Sequence, residues 1–158
     1  MKSVFATVIT LLFAASCAST DVSSIPLADN SSATALFEDV NRYRDRLGKP
    51  PLIRHPGLDV MARQHSEFMM RHGKSPNHIG FSTRAATARA KYKLTSFHEN
   101  TATGPHGTSL TRIWAASPSH APSMKARWDY TGVGVVTGKD GYLYATQLFG
   151  TAGLQTGR

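Results

Sequence analysis

The feature that most limits how this chain can fold is its C-terminal strand pair. Residues Tyr130 to Thr137 alternate, with glycines at Gly132 and Gly134, and run into Gly138-Lys139-Asp140-Gly141, a hairpin-turn composition. Tyr142 to Phe149 reads as the return strand. A two-stranded hairpin is marginal alone and needs further strands or helices on its face.

The chain ahead of the hairpin supplies helices. Leu36, Val40, Tyr43 and Leu47 recur at helical spacing from Thr34 onward, with Glu38 and Asp39 placed early, where the helix dipole favours anions. Gly48 and Pro50-Pro51 end that pattern. A second helix opens at Pro56, carries Leu58, Met61, Ala62, His65, Met69 and His72 as one stripe, and stops at Gly73. A histidine on an apolar stripe is more often packed core than a ligand. Residues Thr83 to Tyr92 read as a short helix whose cations face solvent, and Thr108 to Ala116 as one with Leu110, Ile113 and Trp114 inward, halted by Pro118. Phe97 to Ala102 is ambiguous, and residues 121–128 allow one more turn. The pattern predicts an α+β fold, helices on a small, mainly antiparallel sheet, with Trp114 and Phe149 buried.

The first residues read as an export signal. Lys2 precedes an apolar run from Val4 to Ala15, too short to span a membrane, which needs roughly 20 apolar residues. The one cysteine, Cys17, follows Phe13-Ala14-Ala15-Ser16, as at a bacterial lipoprotein cleavage site. Acylation there would remove an unpaired thiol from an oxidising compartment. Ordinary cleavage at Ala15-Ser16-Cys17 or Ala18-Ser19-Thr20 is the alternative. The expected organisation is a signal at 1–16, a polar tether at 17–33, one domain at 34–150 and a tail at 151–158. With no disulfide available, that domain relies on its core, and a monomer is expected.

The formal net charge is +8, and only Lys2 lies ahead of Cys17. Between Glu67 and Glu99 there is no acid, while Arg71, Lys74, Arg84, Arg89, Lys91 and Lys93 lie there. Such a face suits an envelope lipid, a wall polymer or another acidic surface, or is simply solvated. No nucleic-acid motif is present, and contact with membrane is expected through the lipid anchor only.

Three fragments carry the chemistry: Asn77-His78, then His98-Glu99-Asn100, then Ser117-Pro118-Ser119-His120. His78, Glu99 and His120 lie too far apart for one helix, so any site they form is tertiary. Two imidazoles and a carboxylate can hold a cation or a polar head group, or do acid–base work. Buried hydrogen bonding by Glu99 and Asn100, and capping of a helix C-terminus by His120, are the structural alternatives. There is no H-E-x-x-H pair and no nucleophile elbow around Ser117, Ser119 or Ser123.

In this order, and followed by the glycine-punctuated strands, the fragments resemble the CAP superfamily, which includes cysteine-rich secretory, antigen 5 and pathogenesis-related type 1 proteins. The match is nearest its short, disulfide-free bacterial branch and covers about Leu36 to Gly150. The resemblance implies a three-layer α-β-α sandwich with a strand at Phe97 to Ala102, and makes His65 a structural histidine. It implies a cleft built from His78, Glu99 and His120, to which Asn100 is added here. No cofactor is required, but two neutral imidazoles suit a divalent cation such as Zn²⁺, with His78 and His120 as its ligands. A second acid usual in the family is missing from Ile79-Gly80-Phe81-Ser82-Thr83, where Ser82 or Thr83 offers only an uncharged oxygen. His98 reads as incidental, and His106 as a possible cleft wall. The family's mostly binding and signalling roles imply binding of a lipid, envelope component or metal. The alternatives are an extracytoplasmic hydrolase using the same triad, and a structural envelope module with a vestigial cleft.

Overall fold

The computed structural model describes residues 32–73 and 75–153, so the signal, Cys17 and most of the tether lie outside the described residues. Helix α1, Ala33–Arg46, begins where the Ser32 side chain accepts from the Ala35 N–H at 3.1 Å. Leu36, Val40 and Tyr43 are buried as its spacing predicts. Glu38 and Asp39 lie beyond the first turn of this helix, which holds no acid. Asp39 is buried and pairs with Arg42 at 3.2 Å. Helix α2, Pro56–His72, is entered through His55, whose Nδ1 accepts from the N–H groups of Gly57 and Leu58. His65 is buried on its inner face, but His72 is exposed at the last turn, where its ring stacks on Phe68 at 4.3 Å.

Four strands form one sheet: β1 Ile53–Arg54, β2 Leu94–Pro105, β3 Tyr130–Thr137 and β4 Tyr142–Ala152, in the order β1-β3-β4-β2. β1 runs parallel to β3, and the other two pairings are antiparallel. The hairpin forms as its composition predicts: Gly138 N–H donates to Tyr142 O at 2.8 Å, and Gly141 takes φ 78°. β4 continues past Phe149 to Ala152, into what reads as tail. The ambiguous stretch around Phe97 belongs to β2, a 12-residue edge strand in register with nearly all of β4.

Helix α3, Phe81–Tyr92, joins α2 on one face of the sheet. There Leu58, Met61, Ala62 and Ala88 pack on Leu94 and Leu148. Helices α4, Leu110–Ala116, and α5, Ala121–Lys125, join α1 on the other face. There Leu36, Val40, Leu110, Trp114 and Met124 pack on Ala102, Val133, Ala145 and Phe149. Neighbouring β4 residues Leu148 and Phe149 thus serve opposite layers, as the two-residue period of a strand requires. The result is an α-β-α sandwich, with Trp114 and Phe149 fully buried.

Two glycines set how closely α2 lies on the sheet. A Cβ at Gly132 would stand 2.2 Å from the Leu58 carbonyl carbon, and one at Gly134 2.2 Å from the Arg63 nitrogen. Backbone meets backbone here, so no side chain can swing aside. Polar contacts reinforce the seat: Asp59 Oδ1 accepts from Val133 N–H at 2.8 Å, and Ser66 Oγ donates to Gly134 O at 2.9 Å. On the opposite face the fully buried Arg44 donates to the carbonyls of Pro50, Met124 and Ala126, tying α1 to the chain around α5.

Gly134→Ala is expected to destabilise the fold by about 1–3 kcal/mol, because α2 must lift from β3. Urea unfolding at neutral pH measures this, and an unchanged midpoint would show that the helix is not seated on the strand.

Candidate functional site

The site begins with a buried acid on the edge strand. Glu99 on β2 is 2% exposed. Burial of an ionised carboxylate requires charged and hydrogen-bonding partners. Two are supplied. Arg84, from the first turn of α3, donates Nε to Oε2 at 2.7 Å and Nη2 to Oε1 at 2.8 Å, a fork-on-fork pair. His78 Nδ1 lies 2.8 Å from Oε1. A carboxylate only accepts, so Nδ1 donates, and a neutral His78 keeps its lone pair on Nε2.

Local chemistry places His78. It stands in the turn between α2 and α3, where Ile79 N–H donates to Asn77 Oδ1 at 3.1 Å and Phe81 N–H to His78 O at 3.0 Å. Gly80, at φ 78°, provides the left-handed step into α3. The turn is held from beneath by His65, whose Nε2 donates to Asn77 O at 2.8 Å, and from the side by Arg84, whose Nη1 donates to Ile79 O at 2.9 Å. His65 is therefore a structural histidine.

His120 follows the Pro118 turn and opens α5, and Asn100 Nδ2 donates to its carbonyl at 3.4 Å. Its ring does not cap α4: that helix ends on the Ser117 N–H, which donates to Trp114 O at 3.2 Å. His120 Nδ1 is buried with no hydrogen-bond partner among the described residues.

These elements enclose a cleft of about 400 Å³ lined by His78, Phe81, His98, Glu99, Ser119 and His120. Neighbouring residues of a strand face opposite ways. Glu99 pairs in register with Leu148 of the α2–α3 layer, and His98 with Phe149 of the α1–α4–α5 layer. The cleft thus wraps around the free edge of β2, with His78 and Glu99 on one side and His98 and His120 on the other.

Several expectations change. Asn100 is fully buried behind the cleft and does not line it. His98 is a wall of the cleft, its ring stacked on Trp128 at 6.3 Å, with the Trp128 indole N–H donating to Ser123 O at 3.0 Å. His106 lines a separate depression with Arg112, and Thr83 a groove beside His65 and Phe68. Arg84, read as part of a solvated face, turns inward with its side chain 12% exposed. Its one sequence signal is its place on the first turn of α3, a few residues after His78.

Burial holds the His120 imidazole below its ordinary pKa, and the nearby His78 and His98 rings push the same way. Burial likewise lowers His98, with His78 adding to it and Glu99 opposing. His65 is lowered chiefly by burial, opposed by its bond to the Asn77 carbonyl.

The zinc expectation rests on donors. A zinc site usually takes four ligands, three of them protein groups even where a position stays open. Among the described residues no group of three or more His, Cys, Asp or Glu side chains is placed to hold a metal ion. His78 and His120 supply two imidazoles, and Glu99 is already held by Arg84. The donors do not fit a resident metal.

A family model described as the cysteine-rich secretory protein family, CAP, matches residues 37–149, and the chain belongs to that family. Solved structures share the fold. An outer surface protein of Borrelia burgdorferi is 17% identical at a TM-score of 0.65, over 76% of this chain and 92% of that one. An extracellular protein of Bacillus anthracis containing an SCP domain is 21% identical at a TM-score of 0.61, over 78% of this chain and 41% of that one. A cysteine-rich secretory protein of Staphylococcus aureus is 17% identical at a TM-score of 0.58, over 75% of this chain and 37% of that one. No curated relative matches the chain.

The three depressed histidines give stability a definite slope with pH. Each is neutral in the fold and takes up a proton more readily once unfolded, so the unfolded state binds more protons below about pH 6.5. Stability is fully present above that value and falls as pH drops through the lowered native values. Melting temperature is expected to decline as pH falls below about 6.5, with a shallower slope in His65→Gln. Parallel slopes for the two proteins would remove His65 from this account.

Proposed function

We propose that this domain acts outside the cytoplasm as a binding module for a small amphiphilic component of the cell envelope. The polar head of the ligand sits among His78, His98, Ser119 and His120. The observation that carries this reading is the state of Glu99: both oxygens are engaged by Arg84 and one also by His78. A carboxylate so occupied is a poor general base, which argues against the hydrolase reading. What faces the cleft instead is a set of imidazole nitrogens, a hydroxyl and the apolar ring of Phe81. Donors with a neighbouring apolar wall suit a head group attached to a hydrocarbon or sugar body. A lining of three imidazoles, a hydroxyl and an aromatic ring supports binding over a vestigial cleft.

Export is proposed from the signal-like first residues, the secretory character of the family, and the surface or extracellular descriptions of the structural neighbours. The tether and a lipid at Cys17 would hold the domain near its ligand. Cys17→Ser is expected to release the protein from the membrane fraction and to lack acyl mass by intact-mass measurement. Wild-type protein recovered soluble and unacylated removes the anchor.

The ligand reading is tested with a short-chain phosphatidylglycerol below its micelle concentration and with soluble wall fragments, following Trp128 fluorescence. Trp114 is buried away from solvent, so a ligand-dependent change reports on Trp128 beside His98. Saturable binding, weakened about tenfold or more by His120→Ala through loss of a polar group from the cleft lining, is expected. No binding to either probe points to the structural module, and release of cleaved product points to the hydrolase.

A further inference from the structure

We infer that Arg84 is the resident counter-cation of Glu99, held on the side of the carboxylate away from the cleft, and that by neutralising this acid it deprives the cleft of the anionic ligand a divalent metal would need. The inference deepens the proposed binding role of the same cleft but rests on the ion pair, not on which ligand is bound.

The geometry is specific. Arg84 meets both oxygens of Glu99, at 2.7 and 2.8 Å, with its planar fork. Its remaining Nη1 donates to Ile79 O at 2.9 Å, so the guanidinium is committed on three sides. His78 completes the carboxylate from the cleft side. A metal ion approaching Glu99 must displace a charge-assisted bidentate pair whose side chains are 12% and 1% exposed. It must then settle beside a guanidinium with nowhere else to go, and like charges in a water-poor site repel strongly. The chain also lacks an acid between Ile79 and Thr83. A turn without an acid and an inward arginine act in the same direction and make this side of the cleft a self-neutralised wall.

The guanidinium has a second effect. Through Ile79 O it fixes the turn carrying His78, so the cleft is shaped by the same residue that neutralises it. A bound metal would order that turn only when present, whereas Arg84 orders it permanently.

The experiment is titration calorimetry of the purified protein with ZnCl₂, paired with thermal melting, on wild type, His78→Ala, Arg84→Gln and Arg84→Gln/Glu99→Gln. Wild type is expected to show no zinc binding that depends on His78. Arg84→Gln, which leaves the charge of Glu99 to act through its hydrogen bond to His78, is expected to bind zinc at least about tenfold more tightly than wild type. The double variant, which leaves no unpaired buried charge, is expected to fold and to lose the gain. One-to-one zinc binding by wild type that His78→Ala abolishes overturns the inference, and that measurement stands even if Arg84→Gln does not fold. Failure of the binding role is separate. Wild type that binds neither zinc nor amphiphile removes that role and leaves Arg84 as inferred. Amphiphile binding that requires zinc removes the inference and keeps the role.

Discussion

A carboxylate removed from water must find donors or surrender its charge, and the architecture around Glu99 is organised by that requirement. The guanidinium of Arg84 arrives from α3, the imidazole of His78 from the turn before it, and both meet the acid within 2.8 Å. The start of α3, the α2–α3 turn and the middle of β2 are thereby fixed to one another. His65 secures the turn from α2 through Asn77, so a third element joins the same network. Removing Glu99 would leave the Arg84 guanidinium buried without its counter-charge, and removing Arg84 would leave Glu99 with His78 alone, which costs more than the pair gains over water.

Because β2 is an edge strand, residues on its two faces can share one cleft. Glu99 belongs to the α2–α3 layer and His98 to the layer of α1, α4 and α5. A strand inside the sheet would separate them with its neighbours. The sandwich therefore gives a ligand two walls from different layers, with the strand edge as the floor.

Much of the fold was legible because it rests on local rules. The hairpin follows from alternation and a glycine-rich turn, and α2 from Pro56 at its start and Gly73 at its end. The family resemblance placed His78, Glu99 and His120 together and assigned the structural role of His65. What escaped was long-range. Arg84 looks like any other cation of an Ala- and Arg-rich helix, because nothing local shows which face of α3 meets a buried acid. His98 reads as incidental because a strand residue's value depends on what covers its face, and that cover is Trp128, thirty residues away. His72 misled because its stripe spacing is correct while the layer it packs against ends one turn earlier.

The buried contacts of Arg44 also bear on the order in which the chain becomes a domain. Two of its three carbonyl partners lie 80 and 82 residues further along the sequence. The seat of α2 is equally remote, since Ser66 bonds Gly134 and Thr146 across 68 and 80 residues. The first helix thus completes these contacts only with the chain around α5, and the second only with the closing hairpin, and contacts this distant slow folding by the entropy of the loops they close. A chain built so can complete both layers of its core only once residues 124–146 have joined the first two helices.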